Sequence, residues 1–256
     1  MLSALAVVGA KAFDTQDAAE AAATAADRLP GVQASLASPS RSSTPTTAPR
    51  TPAPTPGNAG GSSTVTEPSP RATVVPQKGT GQIRVVPVPG TQSKAEGRVV
   101  TYTVEVEQGL GVDEPELART VRAVLLDSRG WQKQDGIRFV NISPEQSRAG
   151  RHVDIRITLA SPGLTDRLCA PLRTLSEVSC WNAGRSVLNL KRWRLGDDSY
   201  GKDVDLYRVY QINHEVGHGL GHQHRSCPGK NERAPVMVQQ TLSLGGCKPW
   251  PYPTGD

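Results

Sequence analysis

Four of the five histidines in this 256-residue chain fall within one short run, NHEVGHGLGHQH, from Asn213 to His224. On a helix, residues four apart share a face at about 6 Å along the axis, so His214 and His218 can aim ring nitrogens at one ion. Glu215 follows the first of them and falls beside that ion without having to bind it. Two neutral imidazoles on Zn²⁺, with an adjacent carboxylate as general base for an attacking water, are the chemistry this HExxH spacing serves.

A third ligand decides what kind of site this is. On a straight helix His222 would lie about 12 Å from His214, too far for imidazoles to share an ion whose Zn–N bonds are about 2.1 Å. If the helix stops at Gly221, a residue that accepts the left-handed conformation of a helix C-terminus, the chain can turn back and bring His224 to the metal. The spacing therefore predicts His214, His218 and His224 as ligands and puts His222 at the surface or beside them. Three nitrogens leave one coordination position open, as in catalytic rather than structural zinc sites.

The pattern His214-Glu215-x-x-His218-x-x-Gly221-x-x-His224 resembles the metzincin metallopeptidases, whose long signature is followed by a methionine-containing turn beneath the metal. Met237, in APVMVQQ, stands thirteen residues after His224, and the initiator is the only other methionine. More narrowly, residues 82–256 are similar to a metzincin-like domain of exported or membrane-anchored proteins of high-GC bacteria, most specifically over Asn213 to Tyr252. The resemblance implies zinc, a protein or peptide substrate, and a twisted mixed sheet whose antiparallel edge strand, here VSCWN, borders the cleft. One departure is Gln239, where some metzincins carry a tyrosine two residues after the methionine.

The elements that must position these residues show in the periodicity. RVVTYTVEVEQ alternates Val100, Tyr102, Val104 and Val106 against Thr101, Thr103, Glu105 and Glu107, which predicts a half-buried strand. VDEPELARTVRAVLLDSRGW reads as a helix with Asp113 and Glu116 in capping-box spacing, Pro115 in its first turn, an apolar face of Leu117, Val121, Val124 and Leu125, and Gly130 at its end. Strands are expected over 136–141 and 152–160, with His152 as a surface residue, and again in VSCWN and RSVLNL. KRWRL (191–195) is expected to be a solvated strand end with a half-buried Trp193. The last long helix runs through DVDLYRVYQINHEVGHGL, with Leu206, Val209, Val216 and Leu220 near one face. The order predicts an α/β (α+β) domain with a backing helix, an active-site helix and an irregular C-terminal subdomain.

The remainder of the chain bounds the setting. Residues 30–80 are Pro, Ser, Thr, Ala and Gly with little to bury and are expected to form a disordered tether. Residues 1–29 combine a short apolar run with an Ala-rich stretch and read as a signal peptide or a truncated signal anchor, which would allow association with the cell envelope. None of the four cysteines sits in a CxxC. Of three formal pairings, sequence neighbours give Cys169–Cys180 and Cys227–Cys247, two loop-closing staples that suit an exported protein. If joined, Cys227 and Cys247 would hold the Met237 segment against the histidines. The net charge of +5 has no cluster of the kind nucleic-acid binding needs. These readings converge on a monomeric, secreted or extracytoplasmic zinc endopeptidase with domain boundaries 1–29, 30–80 and 81–256. A non-catalytic, zinc-stabilised cell-surface module is the alternative.

Overall fold

The computed structural model describes residues 74–255. The readings of the N-terminal segment and of the tether up to residue 73 lie outside them. The body begins somewhat before the expected boundary at 81. Gly163 N–H donates to the Gln77 carbonyl and Thr80 N–H to that of Gln108, at 3.0 and 2.9 Å.

Six strands form one mixed sheet: β1 (Ile83–Val86), β2 (Arg98–Glu107), β3 (Ile137–Asn141), β4 (Ile155–Ala160), β5 (Cys180–Asn182) and β6 (Arg185–Asn189). The order is β1-β2-β4-β6-β5, with β3 also paired to β2. β2 runs parallel to β3 and β4, and β4 parallel to β6, while β1 and β5 are antiparallel to their neighbours. VSCWN thus supplies an antiparallel edge strand, as expected.

β2 differs from its half-buried expectation. Its polar alternate, Thr103, Glu105 and Glu107, is as buried as its apolar one. The carboxylates tolerate this because each has partners. Glu107 accepts the main-chain N–H groups of Gly79, Gly81 and Ser161. Glu105 accepts from Thr158 and pairs with Arg185. A buried charge is stable only when so engaged. The sequence showed the alternation but not the second layer that covers it.

Helix α1 (Glu114–Leu126) is capped by Asp113, whose side chain accepts from Glu116 N–H, with Pro115 in its first turn. It ends sooner than expected, because Gly130 starts a separate short helix, α2 (Trp131–Asp135). α3 (Pro144–Arg148) and α4 (Pro162–Cys169) follow, each opened by a serine cap. The segment KRWRL is not a strand end. β6 stops at Asn189, whose side chain caps α5 (Leu190–Leu195), and Trp193 is fully packed. Arg208 holds it there, donating to the Trp193 carbonyl and lying over its ring at 4.8 Å.

The main core joins β2, β3 and β4 to α1 and to α6 (Val204–Gly219). A smaller core sets α4 against Ala160 and Val187 on the opposite side of the sheet. α6 is buried almost all round from Tyr207 to Gly217, whereas Leu206, Val209 and Leu220 of the expected apolar face are only half-buried. After α6 the chain is irregular, with one isolated bridge between Arg233 and Lys248.

The two ends of the sheet are finished differently. On β3, the Gln92 amide accepts from Asn141 N–H and donates to Asn141 C=O, and the Gln132 amide oxygen accepts from Phe139 N–H. β5 and β6 join through a two-residue turn, Ala183 and Gly184, both at positive φ. Such a hairpin makes Asn182 and Arg185 the hydrogen-bonded pair, which turns the N–H and C=O of Trp181 toward the open edge.

Both disulfides form, Cys169–Cys180 and Cys227–Cys247, and they point to an oxidising compartment. Among the described residues no helix is long and apolar enough to cross a membrane.

Candidate metal centre

Helix α6 ends as the glycine pattern requires. Leu220 is its last near-helical residue and Gly221 has φ +98°. Gly221 N–H returns to the His218 carbonyl (3.0 Å) and His222 N–H to that of Gly217 (2.9 Å), the paired bonds of a Schellman cap. Nothing lies within 4 Å of where a Gly221 Cβ would stand, so its backbone angle and not crowding calls for glycine.

Beyond the cap the chain doubles back, and His214, His218 and His224 offer ring nitrogens that all lie within 4.8 Å of one another. His214 Nδ1 is 2.9 Å from the Val236 carbonyl, and His218 Nδ1 is 2.9 Å from that of His222. A carbonyl can only accept, so each Nδ1 carries the proton and each Nε2 keeps a lone pair for the centre of the cluster. His218 Nε2 and His224 Nε2 stand 3.1 Å apart. With no carbonyl on His224 Nδ1 among the described residues, its Nε2 can donate to the His218 lone pair or turn its own lone pair toward a shared cation. Tetrahedral ligands about 2.1 Å from an ion are about 3.4 Å from each other, so the three histidines could hold a metal ion.

Loss of water around the rings, nearly complete at His214 and only partial at His224, favours their uncharged forms. It pushes His214 down to about 3 and His218 down to about 4, each helped by the neighbouring imidazoles, and it lowers His224 as well. Neutral imidazole is the ligating form. Glu215, buried beside His214, is pushed up to about 8 by burial, and its carboxyl forms no hydrogen bond with a described residue.

Val236 and Met237 form the floor. Residues 235–238 make a tight turn closed by Val238 N–H on the Pro235 carbonyl at 2.9 Å. Met237 is buried, and its Sδ would be 2.5 Å from a Cβ on Gly217, so this glycine is required for close approach of helix and turn. Gln240 fastens the turn from behind. It accepts from Tyr200 O–H and Trp250 N–H, and donates to the carbonyls of Trp250 and Pro235. Asn213 ties the helix to the tail through the Pro251 carbonyl. The Cys227–Cys247 bridge encloses this turn in sequence, as expected. Gln239 is exposed.

His222 does not reach the cluster. Its Nε2 lies 2.9 and 3.2 Å from the two Asp135 oxygens, and its ring stacks on Trp131 at 4.3 Å. His152 lies apart, exposed beside Asp154. The sequence pattern gave no sign of Asp135, Trp131 or the Val236 carbonyl. The two side chains stand about eighty positions before the first of the histidines and belong to no motif, and a main-chain group leaves no residue signature. Trp181 was visible only as part of a strand, yet its ring would meet a Cβ on Gly219 at 2.7 Å, which puts it at the end of α6.

Fold and site define a mixed α/β domain built around a three-histidine candidate metal centre. The chain belongs to the DUF3152 family of proteins of unknown function, whose family model matches residues 69–253. No curated protein and no solved structure matches it.

Proposed function

We propose that this domain is a zinc-dependent endopeptidase of metzincin type, acting outside the cytoplasm on protein or peptide substrates. The observation that carries the reading is the convergence of His214, His218 and His224 beside a buried, unpartnered Glu215. A structural site needs ligands but no base.

The donor set fits zinc: three neutral imidazoles, two of them oriented by main-chain carbonyls, and no further protein ligand among the described residues. When bound, the ion supplies Lewis acidity to the scissile carbonyl and makes water easier to deprotonate. Glu215 takes the proton from the attacking water and passes it to the departing amine. Its burial favours the protonated form, so proton return to the leaving group is the easier half of its task. The main-chain groups of Trp181 on the open β5 edge can pair with an extended substrate beside the end of α6. The turn at Met237 takes the part of the metzincin methionine turn. With Gln239 in place of a tyrosine, no side chain of that turn is assigned to the developing oxyanion.

The test uses the full chain with its disulfides intact. Metal analysis should find one zinc per chain, lost on His224→Ala. A broad peptide library should be cleaved, and Glu215→Ala should lower the rate at least 10²–10⁴-fold, the usual share of a general base, with zinc content unchanged. Zinc retained by both proteins with no cleavage of peptides, cell-wall crossbridges or envelope proteins would replace this reading with the zinc-stabilised surface module.

A further inference from the structure

The three candidate ligands are not held equally. His214 and His218 stand on α6, and each has its Nδ1 fixed by a carbonyl. His224 lies on irregular chain and is exposed, and among the described residues its ring has no hydrogen-bonding contact except the one between its Nε2 and that of His218. Its position is therefore inherited from its neighbours. On the far side, Arg225 N–H donates to the Met237 carbonyl at 2.9 Å. On the near side stands His222.

His222 is fastened through its N–H, its carbonyl and its ring. Its N–H closes the Schellman cap on Gly217, and its carbonyl receives His218 Nδ1–H. Its ring is sandwiched between a carboxylate and an indole, with Nε2 on Asp135 and the face on Trp131. Both partners come from the five-residue helix α2, outside the histidine motif. Trp131 in turn donates its Nε1–H to the Asn213 carbonyl at 2.9 Å, one residue before the first ligand, and its ring would stand 2.6 Å from a Cβ on Gly217, one residue before the second. One indole thus abuts the chain next to His214, next to His218, and at the turn leading to His224.

We propose that Trp131, Asp135 and His222 form a positioning clamp that presets the third ligand, so that metal affinity depends on α2. The three residues touch neither substrate nor metal. They hold the His222 carbonyl on the ring of His218 and fix the point from which two residues reach His224. Without the Asp135 contact, the His222 ring has only stacking to keep it in place, and the turn is free to swing, which spreads the three nitrogens that a zinc ion needs close together. The proposal rests on the metal-site part of the reading above, not on peptidase activity.

The experiment measures zinc affinity of the full chain by competition with a chromophoric chelator, the visible spectrum of the cobalt-substituted protein, and the melting temperature of the metal-free form. Asp135→Ala and His222→Ala are expected to weaken zinc binding on the order of 10–100-fold and to alter the cobalt bands, while the metal-free melting temperature stays near wild type. Asp135→Asn still offers an oxygen to His222 and should recover most of the affinity. Unchanged affinity and cobalt spectrum in both alanine variants would overturn the clamp. So would a loss of affinity matched by a collapse of the metal-free melting temperature in Asp135→Asn as well, since that marks a structural role alone. A wild type that binds zinc but cleaves nothing ends the peptidase reading, and the clamp then stands or falls on these affinities alone. A wild type that binds no zinc ends both.

Discussion

The sheet with its helices and the irregular tail after Gly221 differ in whether they leave any buried polar atom unsatisfied. Among the described residues, the buried side-chain atoms without a hydrogen-bond partner are Ser186 Oγ, Ser199 Oγ, Gln211 Oε1 and Asn213 Oδ1, all before the tail. Glu215, whose carboxyl makes no hydrogen bond with a described residue, stands near the C-terminal end of the helix that carries Gln211 and Asn213. The tail buries Gln240 more deeply than any other of its polar side chains and engages both ends of its amide. A regular scaffold draws its stability from ladders and a large core, so it can carry a few unsatisfied groups. A segment with one isolated bridge has no such ladder, and it is held by scattered turn hydrogen bonds, the Cys227–Cys247 bridge and side-chain bonds such as those of Gln240.

Four measurements would sharpen or break that contrast. The largest effect is expected at Glu215 in metal-stripped protein. Its carboxyl is raised to about 8 from an ordinary 4.5. The native state therefore keeps a proton that the unfolded chain gives up, and stability falls as pH rises from about 4.5 to about 8. At 1.36 kcal/mol per unit this cost is on the order of 5 kcal/mol above pH 8. Glu215→Gln removes it, so the melting temperature of this variant should exceed that of wild type by a margin that is near zero at pH 4.5 and grows toward pH 8.5. A margin that does not change with pH would mean that the scaffold does not bear this load.

Next comes Gln240→Ala, which strands Tyr200 O–H and the Trp250 N–H and should cost about 3 kcal/mol in thermal unfolding. A loss below about 1 kcal/mol would show that the tail's other bonds suffice to hold it. Third, replacing either cysteine pair by serine should cost on the order of 3 kcal/mol by loop entropy. The two losses should differ in zinc affinity, which falls with Cys227–Cys247 gone and holds with Cys169–Cys180 gone. Equal affinities would mean the tail does not need its staple to keep Met237 and Val236 under the site. The smallest is Gly217→Ala at the seam between the halves. Helix propensity alone predicts a gain of up to about 1 kcal/mol. The approach of Met237 Sδ and of the Trp131 ring predicts a loss of about 1–3 kcal/mol. A rise in melting temperature would show that the seam is looser than these distances state.

The same division governs what could be read in the sequence. Asp113, Pro115 and the spacing of Leu117, Val121, Val124 and Leu125 announced α1, and Gly221 announced the end of α6, because caps and periodicity are local. The ligand set was legible for the same reason: three histidines and a glycine within eleven positions have few ways to meet. Where the reading failed, long-range partners had overruled local pattern. Asn189 ended a strand-like run and turned KRWRL into a helix, and a second layer covered the Glu105 face of β2. Gln240, Asn213 and the Asp135–His222 contact act through side-chain bonds outside any regular element, and no period in the sequence records such bonds.

Gln92 and Gln132, which cover the edge of β3, bear on how the molecule behaves in company. Their amides occupy the positions that an incoming strand would need at Phe139 and Asn141. A second copy arriving there finds no row of free donors and acceptors to extend, and crowding at this border gives aggregation nothing to template on.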